Sequence, residues 1–274
     1  MKQNKDFDIA DEIFDELTED KYIIRKEVEA NFVKLVEVEI KSSDNPYRKE
    51  KGLYTTIEFT DLYEREVYDE TKLFLVKYLT SFIKELTNKK KPSVLIVGIG
   101  NEEYSPDALG PKVAKKMIPT SHLHEMDYKS RVSCLIPGVM GVTGLESFTI
   151  VKGVLNETQF DLVIVIDALT THSINRLNHV IQITDTGLVP GSGVNNHRKA
   201  FNKENLKVPL ISIGIATVIS LKSIYEEFIL NIEIENKYKL KDDKNIVLTI
   251  KEIEDRIEVL TTLISDSLNA SLNP

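Results

Sequence analysis

A single cysteine, Cys134, is all the thiol chemistry in these 274 residues, so no disulfide can form within one chain. It lies in the apolar segment VSCLIP, which predicts a small buried residue rather than a nucleophile, in a reducing cytoplasm. Glycine and proline are scarce, 12 and 9 residues, and 42% of the chain is hydrophobic, enough for one large domain or two small ones. No apolar run approaches the roughly 20 residues of a membrane helix. The first residues, MKQNKDFDIADEIFDELTEDK, lack the basic leader and apolar core of an export signal, so no membrane association is expected. Positive charge is also lacking: the net charge is -8, and the basic runs at 89–91 and 112–116 are short enough to be solvated faces. Direct nucleic-acid binding is disfavoured.

What is present is strand and helix in alternation. The acidic first 21 residues predict a frayed or helical arm. Residues 33–40 (VKLVEVEI) and 54–59 alternate apolar and polar side chains around a polar, Pro-containing stretch, which predicts a two-stranded antiparallel unit. Apolar residues at near-helical spacing predict an amphipathic helix over 61–86. From Pro92 onward, strands at 94–97, 132–136, 162–166, 180–184 and 210–215 are separated by helices opening at Pro106 or Asp107, at 145–155 and at 217–230. A charged linker over 233–244 and a closing helix over 250–272 complete the chain. This pattern predicts an α/β domain with a mostly parallel sheet and an N-terminal antiparallel β unit.

The stretch FDLVIVIDALTTHS, residues 160–173, organises the rest. Its five consecutive apolar residues read as a strand buried on both faces, with Asp167 as the first residue past its carboxyl end. The strand at 94–97 repeats the design, and its loop delivers Asp107. Ligands and catalysis in open α/β sheets gather beyond the strand carboxyl ends. Ten of the twelve glycines fall in or beside these loops, so something approaches the backbone closely there. Either aspartate alone reads as a helix cap. Together they form a candidate acid and base, because two close carboxylates cannot both ionise easily, and the protonated one complements a partner that activates water. Amide hydrolysis suits that division.

Other motifs point elsewhere and are weaker. Gly98-Ile99-Gly100 begins like a dinucleotide fingerprint, but Glu103 occupies the third glycine position. Ser192, in Pro190-Gly191-Ser192-Gly193, lacks the glycines two residues to either side that a nucleophile elbow requires. His122, His124 and Asp127 lack defined zinc-ligand spacing. No metal and no cofactor are expected.

The stretches LIVGIGNEEYSPDALGPKVAKKM, IPGVMGVTGLES, DLVIVIDALTTHSINRLNHVIQITDTGLVPGSGVNNHRK, VPLISIGIATV and the closing SLNASL resemble the germination proteases of endospore-forming bacteria. These peptidases degrade small acid-soluble spore proteins at germination. The resemblance implies that Asp107 and Asp167, in the PDALGP and IDAL motifs, are the catalytic pair of an atypical aspartic peptidase. It further implies a three-layer α/β/α sandwich similar to hydrogenase maturation peptidases, a homotetramer, and a location in the cytoplasm of the forespore or spore core. Family members are made as zymogens that remove their own N-terminal piece at a site of the form acid, apolar residue, Ala, any residue, Glu. Residues 7–13, FDIADEI, match, which implies a cut between Asp8 and Ile9, a propeptide over 1–8 and one peptidase domain over 9–274 with its catalytic core at about 92–230. The chain departs from better-known members where they carry a long insertion before the final helix. Two rival readings remain: a metal-dependent maturation-type peptidase with His172 or His197 as a nickel ligand, and an inactive member that binds a protein partner.

Overall fold

The computed structural model describes residues 8–13, 20–47, 49–123, 128–191, 198–229 and 246–273. The linker expected at 233–244 lies outside them, as do His124, Asp127, Ser192 and His197. Among the described residues, nine strands form one mixed sheet. They are β1 (Ile23–Glu29), β2 (Val33–Ile40), β3 (Gly52–Phe59), β4 (Ser93–Gly98), β5 (Arg131–Leu135), β6 (Leu162–Thr171), β7 (Val180–Thr184), β8 (Leu210–Ser220) and β9 (Val247–Leu248). The order is β1-β2-β3-β7-β8-β6-β4-β5, with β9 on the end of β8. Pairing is parallel for β8-β6, β6-β4 and β4-β5, and antiparallel elsewhere. Traced through these pairings, β1, β3, β8, β6, β4 and β5 run one way and β2, β7 and β9 the other.

The two N-terminal strands expected from alternation are joined by a third, β1. All three continue the central sheet through the β3–β7 pairing. β7 makes this possible: it lies antiparallel between β3 and β8, with Ile57 opposite Ile181 and Ile183 opposite Ile213.

Among the described residues there are seven α-helices: α1 (Arg65–Thr87), α2 (Leu109–Lys116), α3 (Met140–Thr143), α4 (Ser147–Glu157), α5 (Lys203–Leu206), α6 (Leu221–Ile229) and α7 (Ile253–Leu272). α1 ends where Asn88 turns left-handed and its N–H returns to the Lys84 carbonyl. Strand residues alternate between two cores, as the pleat requires. Val94 and Ile96 of β4 and Leu162, Ile164 and Ile166 of β6 pack with α1, α2 and α7 on one face. Leu95, Val97, Val163 and Val165 pack on the other face with Phe148 and Val151 of α4 and Leu206 of α5. Burial on both faces explains the uninterrupted apolar runs of β4 and β6.

Two boundaries differ from the sequence reading in a way that matters for function. β6 does not stop before Asp167 but runs on to Thr171, with Asp167 paired opposite Gly214. Asp167 is therefore an in-strand residue, and no helix begins at Ala168. β8 likewise continues to Ser220 before α6 opens. The β-branched runs Thr170-Thr171 and Thr217-Val218-Ile219 sustain the pairing past a register shift between Leu169 and Thr170.

Candidate active site

Asp107 and Asp167 are brought together by close backbone packing between neighbouring strands. β4 and β6 are parallel, with Gly98 opposite Ile166, and the Ile99 N–H carries the ladder one step further to the Ile166 carbonyl. The chain then turns through Ser105–Asp107 into α2. A Cβ on Gly110 would lie 2.3 Å from the Ile99 oxygen and 2.5 Å from the Ile166 oxygen, so the first turn of α2 rests directly on the end of β4 and the middle of β6. Gly100 has φ +125°, and a Cβ there would lie 2.0 Å from the Asp107 carbonyl oxygen. Only glycine serves both needs at that position. The Asn101 N–H donates to Asp107 Oδ2 at 2.8 Å, which fixes the carboxylate.

The two carboxyls differ electrostatically. Asp167 is 3% exposed, and burial raises its pKa well above the ordinary value; the neighbouring charge of Asp107 and that of Asp8 push the same way. The Ala168 N–H and the Arg198 charge oppose them. Asp107 is half-buried, and burial raises its pKa against the Asn101 N–H bond and the Arg198 charge. Burial thus disfavours the charged form at both carboxyls, and more strongly at Asp167 than at Asp107.

The arm also meets the site. Residues 8–13 form a docked segment with a single 3-10 turn over Ala10–Ile13, not a frayed tail. At the β6 register shift, the Thr170 N–H donates to Asp8 Oδ2 at 2.9 Å. Ile9, fully buried, packs with Leu169, Val180 and Ala216. Burying a side chain of that size contributes about 2 kcal/mol. Gln182 of β7 brackets the Asp8–Ile9 peptide bond: its Oε1 accepts from the Ala10 N–H at 2.7 Å, and its Nε2 donates to the Asp8 carbonyl at 3.3 Å. Further along, Thr171 Oγ1 and the His172 N–H donate to Glu12 at 2.5 and 3.1 Å, and Arg176 pairs with Asp11 at 2.7 Å.

Gln182, Thr170, Arg176 and Arg198 were not among the candidates from sequence. Their signal is tertiary, since a lone polar residue in a strand such as Gln182 has no local pattern to mark it. Cys134 is half-buried rather than buried, and burial pushes its thiol up to about 11. His172, the rival ligand, has its Nδ1 2.8 Å from Ser223 Oγ.

Glu12 makes the docking of the arm pH-dependent. Burial raises its pKa to about 7, against Arg176, the Thr171 hydroxyl and the His172 N–H, with Asp11 adding to the rise. The groups facing it are thus one guanidinium, one carboxylate and two neutral donors. A carboxyl raised on docking binds a proton that the free arm does not hold near neutrality. The stabilisation is complete below the free value near 4.5 and is lost as pH rises through about 7. Amide hydrogen exchange over residues 8–13, corrected for intrinsic rates, is expected to show stronger protection at pH 5 than at pH 8. Glu12→Gln should flatten that difference.

Among the described residues, no helix is long and apolar enough to cross a membrane. A family model described as Germination protease matches residues 3–235. The germination protease of Caldanaerobacter subterraneus subsp. tengcongensis is 37% identical over 287 aligned residues, covering 92% of this chain and 88% of the relative. Those of Geobacillus sp. strain WCH70 and Priestia megaterium are 40% and 41% identical over 76% and 77% of this chain. The chain spans only 58% and 60% of the length of these two relatives. The matched span takes in the arm, both aspartates and the strands that carry them, and the chain belongs to the germination protease family.

Proposed function

We propose that the chain is an endopeptidase that begins the breakdown of small acid-soluble spore proteins at germination, and that it is made as a zymogen which cuts itself between Asp8 and Ile9. The observation that carries this reading is the meeting of the arm with the aspartate pair. The bond expected to be cut belongs to the residue whose carboxylate accepts from the Thr170 N–H at 2.9 Å, three residues beyond Asp167 on β6.

In the proposed mechanism, Asp107 takes a proton from a water whose oxygen bonds to the Asp8 carbonyl carbon. Asp167 gives its proton to the carbonyl oxygen. Collapse of the tetrahedral adduct breaks the C–N bond, and the Ile9 nitrogen leaves with a proton from the pair. Gln182 Nε2 faces the oxygen on which charge develops. At 3.3 Å its bond is longer than the 2.7–3.1 Å of the strongest oxyanion donors. Gln182→Leu is therefore expected to reduce the self-cleavage rate by about 30-fold, below the usual range for such donors. Timed electrophoresis of the refolded chain measures it.

The division into a propeptide over 1–8 and a peptidase domain over 9–274 belongs to the same reading, as do a homotetrameric assembly, a site in the cytoplasm of the forespore or spore core, and kinship of the fold with hydrogenase maturation peptidases. Incubating the protein with a small acid-soluble spore protein and sequencing the fragments tests the activity. Intact-mass analysis of the ageing protein tests self-processing, with loss of residues 1–8 as the expected product. An uncut substrate, or cleavage abolished by chelator and restored by nickel, would reject the aspartic mechanism.

A further inference from the structure

The polar stretch between β2 and β3 is a braced support that ends at the arm. Asn45 organises it: its Nδ2 donates to the Ser42 and Lys49 carbonyls at 2.8 and 2.7 Å. Its Oδ1 accepts from the Tyr47 and Lys49 N–H groups at 3.0 and 3.4 Å. An asparagine that bonds backbone on both sides of itself holds a turn in one shape. The Tyr47 hydroxyl ties this turn to the start of β1 by donating to Asp20 Oδ2 at 2.5 Å, and Asp20 also accepts from the Tyr22 and Ile23 N–H groups. Past Lys49, the Glu50 carbonyl accepts from the Tyr54 hydroxyl at 3.0 Å and the Glu50 carboxylate from Asn202 at 2.6 Å. The backbone on either side of Lys49 is therefore fixed, and the half-buried Lys49 side chain reaches the arm from it. Lys49 Nζ donates to the Asp8 carbonyl oxygen at 3.5 Å, the atom to which Gln182 Nε2 donates at 3.3 Å.

We propose that Lys49 is a catalytic residue of the self-cleavage reaction: with Gln182 it forms the oxyanion site, and its ammonium group stabilises the charge that develops on the Asp8 carbonyl oxygen as water adds. Both contacts are long for the neutral carbonyl, and a cation at that distance gains little from it. The attraction grows once the oxygen carries negative charge, because an ion and a dipole have become two ions. A lysine suits this task, since its ammonium is a point charge that needs no fixed plane of approach. Lys49 keeps its own protons throughout, and the proton on that oxygen still comes from Asp167. Asn45 is the positioning residue, because it grips the Lys49 carbonyl and N–H. The proposal rests on the peptidase reading of the Asp8–Ile9 bond and adds a residue to it.

The test follows self-cleavage of the refolded full-length chain by intact mass, as a first-order rate, beside amide hydrogen exchange over residues 8–13. Lys49→Met is expected to slow the cut about 30- to 100-fold, at or below the lower end of the range for a lost oxyanion donor, because the contact is long. Lys49→Gln covers the case in which Lys49→Met fails to fold and should slow it to a similar degree. Lys49→Arg keeps the charge and should stay within about 5-fold of the unmodified rate. Protection of the arm should change by less than about 3-fold in each variant, since the docked carbonyl is neutral. Asn45→Ala should slow the cut about 5- to 10-fold alone and by less than about 2-fold when added to Lys49→Met, as expected for a residue that acts through Lys49. An unmodified rate in Lys49→Met and Lys49→Gln overturns the proposal. So does a rate loss matched by an equal loss of arm protection, which would make Lys49 a clamp on the docked arm, and so does a Lys49→Arg chain as slow as Lys49→Met. Each of these leaves the peptidase reading standing, because the unmodified chain has been cut. An unmodified chain that is never cut between Asp8 and Ile9 rejects that reading of the bond and the role of Lys49 with it.

Discussion

Asp107→Asn and Asp167→Asn are each expected to lower peptide cleavage by about 10³-fold, within the range that a positioned acid or base supplies, while moving stability differently. Asp167 is buried beside a second carboxyl and holds its proton above the ordinary range. Asparagine copies the shape of that protonated form and removes the charge that neutral pH would otherwise impose. Asp167→Asn should therefore fold and melt above the unmodified protein at pH 8. A raised folded pKa means that the stability contribution of Asp167 is complete below its free value near 4 and is lost as pH rises through the folded value. The melting temperature of the unmodified protein should thus fall from pH 5 to pH 8 more steeply than that of Asp167→Asn. Asp107→Asn removes the second-largest cause of the rise at Asp167, so the titration of Asp167 should move down, which carbon-detected NMR of labelled aspartate would record. Wild-type cleavage in either variant, or an unmoved Asp167 titration in Asp107→Asn, would dissolve the pairing.

The strands that carry this pair could be read from sequence because their cause is local. Leu162-Val163-Ile164-Val165-Ile166 is apolar without interruption, and that pattern has one economical explanation, burial on both faces. Asp167 ends the apolar run, which is why it stood out, but an acid ending a run was taken for the end of the strand. Pairing with β8 decides the true end, and β8 is more than 40 residues away in sequence, so no local pattern reports it. The same limit hid Arg176 and Gln182: each matters because the arm, more than 160 residues earlier, lies against it. The arm itself was legible as a motif and illegible as a contact, since its acidic composition predicts solvent exposure. Burial of Asp11 and Glu12 is possible only because Arg176, Thr56 and Thr171 supply partners.

Gly110→Ala is the second change with a large expected effect, and two opposing terms decide its sign. In an exposed helix interior, alanine is favoured over glycine by about 1 kcal/mol. Gly153 of α4, whose Cβ would meet nothing within 4 Å, should gain about that much from the same substitution. At Gly110 the added Cβ would stand 2.3 Å from the Ile99 oxygen and 2.5 Å from the Ile166 oxygen, backbone atoms just past β4 and within β6 that cannot swing aside. Relief requires α2 to lift from the sheet, at a cost of about 3–5 kcal/mol, which outweighs the propensity gain. For a chain of this size that corresponds to a melting temperature lower by about 10 °C. The lift also carries Asp107, three residues upstream, away from Asp167. A displacement of about 1 Å in a catalytic group lowers rates on the order of 10²-fold, so cleavage should fall by that factor even at temperatures where the variant is folded. Gly110→Ala with normal melting and normal cleavage would mean that the turn before α2 is not held against the end of β4 and the middle of β6, and that the approach of the two carboxyls has some other origin.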